Sequence, residues 1–303
     1  MNPYYNNSNF FDSVRIFFSR KSVFPRLILI NVGVFALVYL INLVLWLFQL
    51  KTSSGLSILT YWLAVPSSFE MLMIKPWTVV TYMFLHEGFF HLFFNMLVLY
   101  FGGTIFLQYL NERQLFWTYI LGGLTGAFFY IISYNFFPVF LESNPFAIAL
   151  GASASVLAIL VAMAAYVPQY TVNLFLIGPV RLKYLAIFFI IIDIFSIQGS
   201  NPGGHIAHLG GAFWGFLYVF ILKGGKDVLS FPEIFPRKRK MKTTYRNPAG
   251  KPERPLDDDE YNKRKIAEQK VIDAILDKIS KSGYDSLSSR EKEILFRNSN
   301  TKS

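Results

Sequence analysis

The chain holds four histidines, His86, His91, His205 and His208, and no cysteine. Without thiols there is no cysteine nucleophile and no thiolate metal site, so serine and histidine remain as the groups that could do chemistry. His91 and Asn95 stand four residues apart, and His205 and His208 three apart, so each pair shares one helix face. Between the pairs lies the small-residue run Gly151-Ala152-Ser153-Ala154-Ser155. A serine hydroxyl is a weak nucleophile until a base takes its proton, and neutral histidine is the usual base. The tetrahedral intermediate then needs hydrogen-bond donors. The Asn95 amide, the His91 ring and the backbone N–H at Ser153 can supply them. A zinc hydrolase fits less well. His86-Glu87 opens a pattern like HExxH, but the next histidine comes five residues after His86, about 140° away round a helix. No metal and no cofactor are expected.

The elements that must carry these residues follow from composition. Of 303 residues, 53% are apolar and 16% charged, with aromatics at 18% and a mean hydropathy of +0.38. Soluble domains carry roughly 25% charged residues. A disordered chain and a disulfide scaffold are excluded, and an ordinary soluble enzyme is disfavoured. From Lys223 onward the tail holds 20 of the 29 basic and 13 of the 19 acidic residues. The net charge of +10 therefore points to a membrane with basic flanks rather than to nucleic acid, and no nucleic-acid partner is expected.

Six apolar runs read as spans: about 28–48, 90–110, 114–136, 150–167, 182–198 and 204–222. The chain divides into an N-terminal amphipathic segment (1–25), a six-helix membrane domain (26–222), a basic, proline-containing linker (223–256) and a C-terminal helical hairpin (257–303). In the hairpin, Ile272, Ile275, Leu276 and Ile279 form a stripe, Gly283 ends the first helix, and Ser288 with Glu291 makes a capping box. The aromatic loop 51–89 is expected partly in the interface. Lys and Arg gather before span one, between spans two and three, between four and five, and after six. Both termini are therefore expected in the cytoplasm, of a bacterial inner membrane most naturally.

That topology runs spans two, four and six in one direction and brings their starts to one depth. His91 and Asn95, Ser153, and His208 sit at those starts. Gly211 and Gly215 form GxxxG on span six, and Ala154, Ala158 and Ala162 line span four at helical spacing, which lets helices approach closely. Ser155 is read as a packing residue, His205 as a structural donor and His86 as a loop residue. Asp193, a lone carboxylate in an apolar run, reads either as a functional group or as a satisfied helix contact, and is left out of the site.

At these residues the sequence resembles the rhomboid family of intramembrane serine proteases, over roughly residues 26–222. Gly151-Ala152-Ser153-Ala154 resembles the family's GxS motif. Ala207-His208-Leu209-Gly210-Gly211, followed by Gly215, is similar to AHxxGxxxG. His91 to Asn95, followed by Gly102-Gly103, is similar to HxxxN. The resemblance implies Ser153 as nucleophile, His208 as general base, and His91 and Asn95 as oxyanion donors, with Gly151, Gly211 and Gly215 as motif support. Leu157 stands where an aromatic often stacks on the catalytic histidine. The resemblance implies membrane-anchored protein substrates in a lipid bilayer. The alternative is a non-catalytic rhomboid-like factor that binds membrane-protein clients. The fold expected is an all-α six-helix bundle with a small cytoplasmic helical tail.

Overall fold

The structure, a computed structural model, describes residues 10–19, 22–49, 58–174, 177–229 and 258–299. The N-terminal asparagines, Arg20, Lys21, Lys51 and most of the expected linker lie outside the described residues. The chain forms two compact units, Met1–Phe235 and Pro236–Ser303.

The first unit is helical. α1 (Phe10–Ser19) precedes α2 (Val23–Leu47), whose first turn is capped by the Ser22 hydroxyl accepting from the Phe24 N–H. The aromatic loop folds into three short helices, α3 (Ile58–Leu63), α4 (Phe69–Ile74) and α5 (Thr78–Thr81). Lys75 is buried there, which pushes its pKa down; its ammonium sits 3.9 Å above the Tyr61 ring. Then follow α6 (Phe89–Tyr109), α7 (Glu112–Phe136), α8 (Ser153–Tyr166), α9 (Leu182–Ser196) and α10 (Pro202–Lys223). A reciprocal capping box between Asn111 and Gln114 opens α7, and the Asn201 side chain caps α10.

Four helices, α2, α6, α7 and α10, are long and apolar enough to cross a bilayer. The two others expected as spans are shorter. With 14 and 15 residues, α8 and α9 reach about 21–23 Å at 1.5 Å per residue, less than a hydrocarbon core of about 30 Å. The fourth expected span begins at 150, but the helix starts at Ser153. The reason is Gly151, whose φ of +132° is incompatible with a helix.

The unit is all-α in class, and two small sheets lie among the helices. β1 (Val65–Pro66) pairs antiparallel with β2 (Ile148–Ala149), and β3 (Thr171–Leu174) with β4 (Gly178–Arg181). Strands of two to four residues are too short to show an alternating pattern in sequence.

α8 is the centre of the unit. Every residue from Ala154 to Ala164 is buried, against α6, α7, α9 and α10. Small residues permit this. A Cβ on Gly211 would sit 2.0 Å from the Ala154 carbonyl oxygen, and one on Gly215 2.1 Å from that of Ala158. The GxxxG surface of α10 therefore lies directly on the α8 backbone. From the other side, a Cβ on Gly122 of α7 would come within 2.3 Å of Ala158 Cβ. Ser155 is fully buried in this packing, as expected of it. Large apolar residues such as Leu37, Trp46, Phe90 and Phe220 face outward, the pattern of a lipid-exposed surface.

Polar groups inside this unit tie helices to loops. The Asn31 amide donates to the Tyr119 hydroxyl (3.1 Å), which donates to the Met83 carbonyl (3.0 Å). The Tyr82 hydroxyl donates to the Gly123 carbonyl, while the Tyr82 carbonyl accepts from the Gly151 N–H at 2.9 Å. The loop before α8 is thus pinned at its glycine.

In the second unit, α11 (Asp258–Ser282) ends at Gly283, which has φ +76°. α12 (Ser289–Ser299) is opened by the expected box: the Glu291 N–H donates to Ser288 Oγ, and the Ser288 N–H to Glu291 Oε2 at 2.7 Å. Ile275 is buried between the helices, but Leu276, expected on the same stripe, is half-exposed. Leu276 lies about 100° round the helix from Ile275, and one short partner helix covers only one side.

Candidate active site

A pocket of about 480 Å³ opens where the first turns of α6, α8 and α10 meet the latter half of α9. The size suits a side chain or small ligand. His91 and Asn95 line it from α6, Ser153 from the first position of α8, and His208 from the second turn of α10. The four residues singled out from the sequence are therefore brought together. All four stand in the first two turns of their helices.

Local backbone explains how Ser153 is presented. Gly151 turns the chain with its positive φ, and the Ala152 carbonyl accepts the first helical bond, from Val156 (2.9 Å). Ser153 is thus the first residue of α8, with its N–H among the donors that a helix start leaves unpaired. A Cβ on Gly151 would lie 3.0 Å from the His91 ring and 3.4 Å from Ser153 Oγ. The hydrogen at this position keeps open the space that the serine and the His91 ring share.

Among the described residues no hydrogen bond joins Ser153 to His208. Asn95 donates one amide hydrogen to the His91 carbonyl (2.9 Å), leaving the other for the pocket. Leu157 and Leu160 form the apolar floor, with Phe94 and Phe189 from α6 and α9 on either side.

His86 does not line the pocket. It is buried behind His91, with ring centroids 5.2 Å apart in an edge-on arrangement. Burial, with the neighbouring His91 second, pushes its pKa down to about 4, so His86 is neutral at pH 7.

Two titratable residues of the pocket, Asp193 and His205, lie outside the set expected from sequence. Asp193 of α9 is only 4% exposed, and its Oδ1 lies 2.8 Å from Nδ1 of both His205 and His208. The available signal was a lone carboxylate within an apolar run. The three donor atoms fall within 4.8 Å of one another, close enough in principle to hold a cation. A tetrahedral zinc with ligands at about 2.0–2.1 Å would hold them about 3.3 Å apart. The observed 2.8 Å is the length of a charge-assisted N–H···O⁻ bond.

Comparison with known proteins covers the region that carries this pocket. Residues 74–224, which carry every pocket residue, match the family model described as Rhomboid domain. The chain belongs to the rhomboid family. It is an integral membrane protein on that ground and by its apolar helices. The chain is also similar to "RHOMBOID-like protein 12, mitochondrial" of Arabidopsis thaliana, 33% identical over 144 residues. The match covers 45% of this chain and 43% of that relative, so the chain spans less than half of the relative's length. Outside the rhomboid domain, residues 258–301, the C-terminal hairpin, match a model described as a family of unknown function (DUF6576).

Proposed function

We propose that the protein is a rhomboid-type intramembrane serine endopeptidase with Ser153 as nucleophile and His208 as general base. The observation that carries this reading is the convergence of Ser153, His208, His91 and Asn95 on one pocket at the common end of α6, α8 and α10. Ser153 Oγ attacks the carbonyl carbon of a peptide bond while His208 Nε2 takes the hydroxyl proton. The new oxyanion accepts hydrogen bonds from the Ser153 N–H, the His91 ring and the second Asn95 amide hydrogen. The intermediate collapses as His208 returns its proton to the leaving amine. Water, deprotonated by the same histidine, then attacks the acyl-serine, and the acid product leaves with Ser153 restored.

The substrates are membrane-anchored proteins whose extended segment enters between α6 and α9, across the apolar Phe94 and Phe189. The α6, α8 and α10 starts face the non-cytoplasmic side, with both termini in the cytoplasm; a bacterial inner membrane is the expected location. α8 and α9 complete a six-helix bundle together with the chain at their ends, since neither helix alone reaches about 30 Å.

Cleavage of a transmembrane substrate by purified protein in lipid tests the reading. Ser153→Ala should abolish cleavage while leaving the melting temperature within a few degrees. Undiminished cleavage by Ser153→Ala would remove Ser153 from the mechanism. Capture of the substrate without any cleavage by the wild type would favour a client-binding role instead.

A further inference from the structure

We propose that Asp193 is the positioning residue for His208, which makes the site a Ser–His–Asp arrangement rather than a bare pair. The inference rests on the protease reading above and deepens it. An imidazole has two nitrogens, and a general base must offer an unprotonated one to the serine. His208 turns Nδ1 toward the Asp193 carboxylate at 2.8 Å. A carboxylate only accepts, so Nδ1 must carry the proton, and Nε2 keeps the lone pair that faces the pocket. Asp193 thus selects the useful tautomer and fixes the ring plane.

Three features indicate more than a satisfied helix contact. The carboxylate is nearly fully buried, where an unpaired charge is costly. It stands in the last turn of α9, where the helix dipole disfavours a negative charge. It is therefore held in place by its partners, and both come from the first two turns of α10, the electropositive end. His205 donates to the same oxygen at 2.8 Å from the other direction, with its ring 85° to that of His208. His205 steadies the carboxylate and His208 is steadied by it. Because Asp193 belongs to α9, the wall of the pocket and the orientation of the base are coupled.

The test compares wild type, Asp193→Asn and Asp193→Glu as full-length protein in lipid. An asparagine can turn its amide toward Nδ1, which favours the tautomer with its proton on Nε2. We expect Asp193→Asn to lower kcat by about 100-fold or more with KM little changed. Asp193→Glu should recover part of that loss. An Asp193→Asn protein that folds and cuts at the wild-type rate overturns the proposal. If the variant does not fold, the tautomer decides. Nitrogen NMR of histidine-labelled wild-type protein, with the His208 signals assigned by their loss in His208→Ala, should show the proton on Nδ1. A proton on Nε2 overturns the proposal. This measurement needs no turnover, so a wild type that cuts nothing but shows Nδ1–H refutes the protease reading and leaves the positioning geometry standing.

Discussion

At the scale of single residues, neighbouring side chains carry different consequences. Removing one oxyanion donor in a serine hydrolase costs about 10²–10³ in kcat. Asn95→Ala should therefore slow turnover by up to that amount in a steady-state assay, and with KM nearly constant. Gly151→Ala is more severe than its size suggests. Its φ of +132° costs an L-residue about 1–3 kcal/mol, and the added methyl meets the His91 ring at 3.0 Å. Loss of fluorophosphonate labelling with a lowered melting temperature is the expected result. His86 gives a pH dependence. Its pKa is about 4 in the folded protein against 6.5 unfolded, so the unfolded chain binds the extra proton between those values. Stability should be full above pH 6.5 and fall as the pH drops toward 4, and a His86→Phe variant should lose less over that window in thermal melts. That Ser153, His208, His91 and Asn95 would meet was legible in the sequence because their spacing placed them on helix faces at helix starts. The contact of Asp193 with His205 and His208 was not, because nothing in the sequence says which way a lone carboxylate on α9 turns.

At the scale of elements, the site depends on how closely α10 lies on α8. A Cβ at Gly211 or Gly215 would fall about 2 Å from a carbonyl oxygen of the α8 backbone, and backbone cannot move aside as a flexible side chain can. Gly211→Val should therefore force α10 outward, carrying His208 away from Ser153. We expect a destabilisation of at least about 1–3 kcal/mol, typical of overpacking, read as a lower melting temperature together with lost cleavage. The long helices were legible because runs of 20 or more apolar residues announce themselves. The exact start of α8 was not, since apolar residues continue upstream and only the backbone at Gly151 marks the break. The two small sheets were illegible for a different reason: the β1–β2 pair joins segments some eighty residues apart, and neither strand has a pattern of its own.

At the scale of the whole molecule, the rhomboid region and the C-terminal unit make separate claims. The proposed topology is open to direct test because the chain contains no cysteine. Glu142→Cys should react with a membrane-impermeant maleimide applied to intact cells, whereas Lys226→Cys should react only after lysis. The opposite pattern would invert the assigned orientation. In the C-terminal unit, the Ser288 N–H, then Lys278 and the Ser288 hydroxyl, hold the Glu291 carboxyl down to about 2. A depressed carboxyl stabilises the native form above its unfolded pKa near 4.5 and loses that contribution as the pH falls toward 2. Hydrogen exchange should show the start of α12 loosening over that range, and Glu291→Gln should show it already at pH 7.

The central claim is that one serine, activated by one histidine, performs the chemistry. It is tested most directly by treating the membrane-embedded protein with a fluorophosphonate and mapping the adduct by mass spectrometry. The expected result is a single adduct on Ser153 that disappears in His208→Ala. An adduct on another residue, or one on Ser153 that forms equally fast without His208, would contradict it.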